Sequence, residues 1–283
     1  MAVPVFRSLT MTIQTALLQG QRLLEKADVS APRLNAEVLL AHAVGRERSW
    51  LFTHYGEELR EVWWIHYGRY LHERMQGKPT QHITGVQEFY GREFRVTPDV
   101  LIPRPETEHV IETALRLKAG RIVDIGTGSG AIAVTLALET GARVVGTDIS
   151  PAALRVAAAN ALGSKVRWLA CDLGSALAGG GFDLVVSNPP YISVRDKSTL
   201  QREVRDYEPE IALYGGDDGL DVYRRLVPEA ERLLAPGGWL VMEIGHDLSD
   251  AVSGIISMTG AWRNIEIRND LAGLPRVILA QRV

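Results

Sequence analysis

The chain has 283 residues, 46% of them hydrophobic and 23% charged, with a formal net charge of −3. This is a globular composition, enough for one large or two ordinary domains, and it excludes a disordered or collagen-like chain. The slight acidity argues against a protein that grips long nucleic acid. No apolar run approaches the ~20 residues that span a bilayer, and no basic-apolar-small signal pattern opens the chain. The cytoplasm is the expected compartment. Cys171, the one cysteine, rules out an intramolecular disulfide and a cysteine-pair zinc site. It reads as a small buried residue at a strand end.

The first ten residues show no clear periodicity and read either as an extension or as sequence ahead of a true start at Met11, which opens a helical pattern. Ile13, Ala16, Leu17, Leu23 and Leu24 recur at helical spacing over Thr12 to Ala27. A second helix starts at Pro32, carries Leu34, Val38, Leu39, Leu40 and Ala43, and stops at Gly45. A third is expected from Glu57 to Gln76, its Trp63, Trp64, Tyr67 and Tyr70 read as packing residues. Gly77 to Thr80 reads as a linker. Ile83–Tyr90 and Arg92–Thr97 then resemble two strands of a hairpin around Tyr90-Gly91. In Leu101-Ile102-Pro103-Arg104-Pro105-Glu106-Thr107-Glu108 the prolines make Pro103 to Pro105 extended, and Thr107 or Glu106 then starts a helix that runs to Lys118.

From Arg121 the pattern alternates strand and helix, which implies an open parallel sheet covered on both faces. Strands are expected at Arg121–Ile125, Arg143–Thr147, Val166–Ala170, Phe182–Val186 and Trp239–Ile244. Helices are expected at Ala131–Glu139, Pro151–Leu162 and Leu220–Leu234, with Ala235-Pro236-Gly237-Gly238 as a turn. Two last strands, near Trp262–Arg268 and Arg276–Gln281, form an antiparallel pair at the edge. The expected organisation is a helical domain over 1–77, a linker and hairpin over 78–100, and an α/β domain over 101–283.

Two sites carry chemistry. Asp124-Ile125-Gly126-Thr127-Gly128-Ser129-Gly130 follows the first strand and opens a helix, where glycines admit a ligand close to the backbone and unpaired N–H groups face it. The loop alone fits a dinucleotide first, although its spacing is G-x-G-x-G rather than G-x-G-x-x-G, and a bare structural turn stays open. Asp148, about 20 residues on, is placed to accept ribose hydroxyls. Asp172, after the third strand, is a candidate for an adenine amino group or a helix cap. The second site is Asn188-Pro189-Pro190-Tyr191 at the end of the fourth strand. Its prolines remove backbone donors and leave an Asn side chain, carbonyl acceptors and a flat ring, a set that suits an NH2 group. Neighbouring strands bring both sites to one crevice.

DIGTGSG, GTDIS-PAAL and FDLVVSNPPYI together resemble a class I S-adenosylmethionine-dependent methyltransferase. LIPRPETE, EVRDYEP-x-x-AL-x-GG-x-DGL and APRLNAEVLLAHA narrow the resemblance to the HemK/PrmC family, protein-(glutamine-N5) methyltransferases that modify the Gly-Gly-Gln glutamine of class I peptide release factors. The similarity runs from about Met11 to the C-terminus. It implies a Rossmann-like seven-stranded sheet, S-adenosylmethionine as cofactor and a release factor as partner. Carried over by position, Gly126, Thr127, Gly128, Ser129, Gly130 and Asp148 bind the cofactor, with Asp172 and Asn188 beside it. Leu173 stands where some relatives have an aromatic residue. Asn188, Pro189, Pro190 and Tyr191 bind substrate, with Asn188, Pro189 and Tyr191 catalytic, while Arg104 and Glu106 either shape the pocket or serve a structural turn and helix cap.

In this reading the Asn188 oxygen and the Pro189 carbonyl accept the two substrate N–H groups and Tyr191 lies on the planar amide. No metal, no membrane and no stable nucleic-acid partner is expected, and the enzyme is read as a monomer. The alternative in the same reaction class is methylation of adenine or cytosine amino groups, which NPPY alone also fits.

Overall fold

The computed structural model describes residues 11–161 and 163–283. The N-terminal extension and Leu162, the expected end of one helix, lie outside them. The chain separates into two compact units. One holds the chain up to Gly85 together with Arg202–Tyr207, and the other holds Val86–Gln201 and Glu208–Val283.

In the smaller unit α1 (Ile13–Lys26) is capped reciprocally: Thr12 Oγ1 accepts from Thr15 N at 3.2 Å and Thr15 Oγ1 from Thr12 N at 2.8 Å. Next come α2 (Pro32–Val44), α3 (Arg48–Thr53), α4 (Glu61–Met75) and α5 (Thr80–Thr84). Two expectations are corrected here. The helix expected from Glu57 begins at Glu61, because residues 57–59 form a bend and an isolated bridge that bonds to the start of α1 and the residues before it. Ile13 N donates to Glu57 O at 3.0 Å and Leu59 N to Met11 O at 2.7 Å. Ile83 and Thr84 are helical rather than strand, since Pro79 opens α5 and Gly85, at φ 79°, closes it. Ile13, Leu24, Leu39, Leu40, Leu51, Tyr67 and Leu71 form the core, with Trp63, Trp64 and Tyr70 packed against it. Arg74, buried despite its charge, reaches Asn35 Oδ1 at 3.1 Å and pairs with Glu203.

The larger unit begins with a hairpin of β1 (Val86–Phe89) and β2 (Arg92–Arg95) around Tyr90-Gly91. A single turn of 3₁₀ helix, Pro105–Thr107, leads into α6 (Glu108–Arg116). Then follow β3 (Arg121–Ile125), α7 (Ala131–Thr140), β4 (Arg143–Asp148), α8 (Pro151–Asn160), β5 (Arg167–Ala170) and β6 (Phe182–Ser187). After α9 (Arg202–Tyr207), which sits in the smaller unit, come α10 (Asp221–Leu233), β7 (Leu234–Glu243), α11 (Ser249–Ser257), β8 (Trp262–Asn269) and β9 (Pro275–Arg282).

The strands form one seven-stranded sheet in the order β5-β4-β3-β6-β7-β9-β8. Pairing is parallel from β5 to β7 and antiparallel at β9 and β8. Sequence order reverses between β3 and β6, and a crevice opens beyond strand C-termini at such a point. Along the central strands alternate side chains enter different cores. Ile122, Leu184, Val186 and Val241 share one with α6, α7 and Phe89 and Phe94 of the hairpin; Val123, Ile125, Val185 and Met242 share the other with α10 and α11. Burial on both faces explains why these strands read as apolar runs.

Ala235–Gly238, expected as a turn ahead of the strand, is a bulge within β7: Phe182 pairs with Leu234 and Leu184 with Trp239. The hairpin is bound in by Asn160, whose Oδ1 accepts from Arg95 N at 2.8 Å. Its Nδ2 donates to Arg95 O at 2.9 Å and to Ser129 O at 2.8 Å. No helix among the described residues is long and apolar enough to cross a membrane.

Candidate active site

The C-terminal tips of β3, β4 and β6 surround a cavity of about 250 Å³. One side of it is the glycine loop. Gly126 and Gly128 sit at φ 72° and 54° with open space where a side chain would go, so the bare backbone faces the cavity. The loop is held from below, since Gly126 N and Thr127 N both donate to Thr147 O at 2.9 Å. Thr127 Oγ1 donates to Asp124 Oδ2 at 2.6 Å. Asp124 is fully buried, and that burial pushes its carboxyl up to about 7.

Asp148 closes the next side. Its Oδ2 accepts from Gly128 N and its Oδ1 from Ser150 N, both at 2.9 Å. Each oxygen keeps a lone pair, so the carboxylate retains capacity for hydroxyl donors. Ile149, 54% exposed, lines the cavity beside it. The sequence signal for this wall is only an apolar residue directly after a strand-end acid; its exposure comes from the fold. Asp172 and Leu173 also line the cavity, Leu173 at a left-handed φ of 50°. Asp172 pairs with Arg225, another lining residue. Cys171 is half-buried, and its thiol donates to Leu173 O at 3.3 Å.

Opposite the loop stands the tip of β6. Ser187 Oγ donates to Ile125 O at 2.7 Å, fastening this tip to that of β3. Asn188, Pro189 and Pro190 line the cavity; Tyr191, Arg104 and Glu106 are not among its lining residues. Tyr191 packs against the core of the α10 face, and its hydroxyl donates to Glu243 Oε1 at 3.1 Å. Burial first, then the carboxylate beside it, pushes the phenol up and keeps it a donor. Asn188 Nδ2 donates to Thr107 Oγ1 at 3.1 Å, and Thr107 Oγ1 donates to Glu243 Oε2 at 2.6 Å.

Arg104 acts at a distance from the cavity. It pairs with Glu208, a buried carboxylate that also accepts from Ile102 N at 3.1 Å. The pair pins the extended segment whose Val100, Leu101, Pro103 and Thr107 form part of the cavity wall. Glu106 is exposed. The sequence offers Thr107 only as one of two possible helix starts, with Glu106, and gives Glu243 no role. The signal for Glu243 was a lone carboxylate in the apolar run Trp239–Ile244.

The doubly covered sheet and a crevice lined by glycine loop, strand-end acid and Asn-Pro-Pro tip define a Rossmann-like methyltransferase. Comparison with solved structures agrees on the fold. A methyltransferase from Pyrococcus furiosus superposes with a TM-score of 0.54 at 18% identity, over 74% of this chain and 98% of that one. The hMettl16 catalytic domain, solved in complex with MAT2A 3'UTR hairpin 6, gives 0.56 at 15% identity, over 71% and 79%.

Residues 15–85 match the model of the PrmC N-terminal domain, and residues 106–205 that of the methyltransferase small domain. The release factor glutamine methyltransferases of Koribacter versatilis and Moorella thermoacetica are each 44% identical to this chain, over 96% of it and 99% of their own length. The chain belongs to the release factor glutamine methyltransferase family. The nucleic-acid alternative is not favoured.

Proposed function

We propose that this enzyme methylates the side-chain amide nitrogen, N5, of the glutamine in the Gly-Gly-Gln motif of class I release factors, with S-adenosylmethionine as donor. The observation that carries the reading is the Asn188-Pro189-Pro190 tip facing the glycine loop and Asp148 across one cavity. Open backbone at Gly126 and Gly128 and spare acceptor capacity on Asp148 fit an adenosyl group with its ribose. Leu173 and Ile149 offer apolar contact to the base.

When bound, the cofactor supplies a methyl group on a cationic sulfur, which keeps the S–C bonding pair as the amide nitrogen forms its new N–C bond. An amide nitrogen is a poor nucleophile because its lone pair is delocalised into the carbonyl. The Asn188 oxygen and the Pro189 carbonyl would each accept one substrate N–H, aim the nitrogen at the methyl, and favour the positive charge it gains. The surplus proton passes to water, so no general base is required. Tyr191 supports the tip from the core side. In this reading the N-terminal helical residues recognise the protein partner and residues 101–283 carry the chemistry. The enzyme works in the cytoplasm as a monomer, with no stable nucleic-acid partner and no membrane contact.

The test incubates the protein with methyl-labelled S-adenosylmethionine and a release factor, a Gln-replaced release factor, or duplex DNA, and locates the label by mass spectrometry. Label on the Gly-Gly-Gln glutamine, reduced about a hundredfold or more in Asn188→Ala with cofactor affinity nearly kept, is the expected result. Label on DNA, or near-normal turnover by Asn188→Ala, overturns it.

A further inference from the structure

The contacts behind Asn188 have a direction. Glu243 is 1% exposed at the end of β7, and its two oxygens accept from two hydroxyls, Thr107 at 2.6 Å and Tyr191 at 3.1 Å. Both bonds run towards Glu243, which accepts at each oxygen. Thr107 has one hydroxyl proton, and it is committed to Glu243. The Thr107 oxygen can therefore only accept from its other neighbour, and that neighbour is the Asn188 amide at 3.1 Å.

An Asn side chain presents NH2 on one side and oxygen on the other, two nearly isosteric arrangements that only hydrogen bonding tells apart. A Thr107 oxygen that must accept selects the arrangement with NH2 turned to it. Oδ1 is left for the cavity side.

We propose that Glu243, acting through Thr107, is the positioning residue that sets which face of the Asn188 amide meets the substrate. The proposal rests on the amide-methylating reading above, in which the substrate brings N–H groups and needs an acceptor. With the reversed amide, NH2 would face NH2 and the substrate would lose an acceptor, leaving buried donors unpaired. Burial holds the Glu243 carboxyl above the usual carboxylate range, although the bonds from Thr107 and Tyr191 and the charge of Arg276 draw it part of the way back. The backbone around it is also fixed, since Glu243 O accepts from the buried Tyr223 hydroxyl at 2.9 Å.

Three substitutions separate this role from a merely structural one. Thr107→Val removes the hydroxyl at constant volume and Thr107→Ser restores it. Glu243→Gln keeps the shape but supplies an NH2 that can donate to Thr107 and reverse the chain of bonds. Methyl transfer to the release factor is measured as kcat and KM. Hydrogen exchange of the Asn188 side-chain amide is followed by ¹⁵N NMR in the protein alone, the signal being assigned by its loss in Asn188→Ala. The expected result is a protected Asn188 NH2 in the wild type, and lost protection with a tenfold or greater fall in kcat in Thr107→Val and Glu243→Gln. KM for the cofactor should stay within about twofold, and Thr107→Ser should recover most of the turnover and protection.

Folded Thr107→Val or Glu243→Gln with wild-type kcat and unchanged exchange overturns the proposal, as does an unprotected Asn188 NH2 in the wild type. A protected amide lost in these variants, in a protein that labels no release factor, upholds the orientation and refutes the substrate reading instead.

Discussion

Gly219 backs directly onto the carbonyl oxygen of Tyr191, and a methyl group at position 219 has no room there. The contact belongs to a patch of paired backbone behind the Asn-Pro-Pro-Tyr tip. Ile192 N donates to Leu213 O, and Gly215 N to Ile192 O, both at 2.9 Å. The prolines stiffen the tip from within, and the segment Leu213–Gly219 stiffens it from behind.

Gly219→Ala meets both this crowding and a φ of 76° that an L side chain rarely adopts. It should displace the tip and lower kcat at least tenfold, while cofactor affinity, which the proposed function assigns to the opposite wall, changes little. Steady-state kinetics beside calorimetric titration with the cofactor checks this. Wild-type turnover in the folded variant would show that the tip tolerates movement.

Asp124 makes stability depend on pH in a defined direction. Its carboxyl is held up to about 7 in the folded protein, against an ordinary value of 3.8, by burial first of all. Between those values the folded state keeps a proton that the unfolded chain has released, so this group's contribution is full below about pH 4 and is lost as pH rises through 7. The slope is at most about 1.4 kcal/mol per pH unit. Asp124→Asn removes the titration. Chemical denaturation from pH 4 to 8 without cofactor should show wild-type stability falling relative to the variant as pH rises; parallel curves would refute it.

The smaller unit contains an opposite case to the usual helix rule. Alanine normally exceeds glycine in a helix interior by about 1 kcal/mol. Gly20 lies inside α1, however, and a side chain there would run into the hydroxyl of buried Tyr67. Gly20→Ala should therefore destabilise by about 1–3 kcal/mol, and adding Tyr67→Phe should recover part of the loss, since the ring carbon that bears the hydroxyl is crowded as well. Thermal and urea unfolding of the three proteins decides it.

Legibility in the sequence followed how local each cause was. Central strands such as Arg121–Ile125 and Phe182–Ser187 are apolar runs bounded by turn residues, and they were found within a residue of their ends. Helix α11 was missed, although Val252 and Ile256, its two buried residues, are four apart; the segment is short and no strong cap introduces it. Residues 57–59 were misread because their partner, the start of α1, is far away in the chain. Distance also hid the support of the site. Asn188 and Asp148 announce themselves by motif and spacing, whereas Thr107 and Glu243 lie 136 positions apart and acquire meaning only when the fold joins them.

Asn160 fastens the hairpin to the loop that bears Ser129, and Phe89 and Phe94 close the core beneath it. For anyone dissecting the protein, this moves the place to cut. Proteolysis or truncation between Gly85 and Val86 leaves both phenylalanines in place, while a boundary drawn after residue 100 opens a hole where two aromatic rings stood. It also takes away Arg95, so the Asn160 side chain that holds the Ser129 carbonyl loses its two bonds to the hairpin. The strands drawn on the sequence as a joint serve the larger unit as a doorpost.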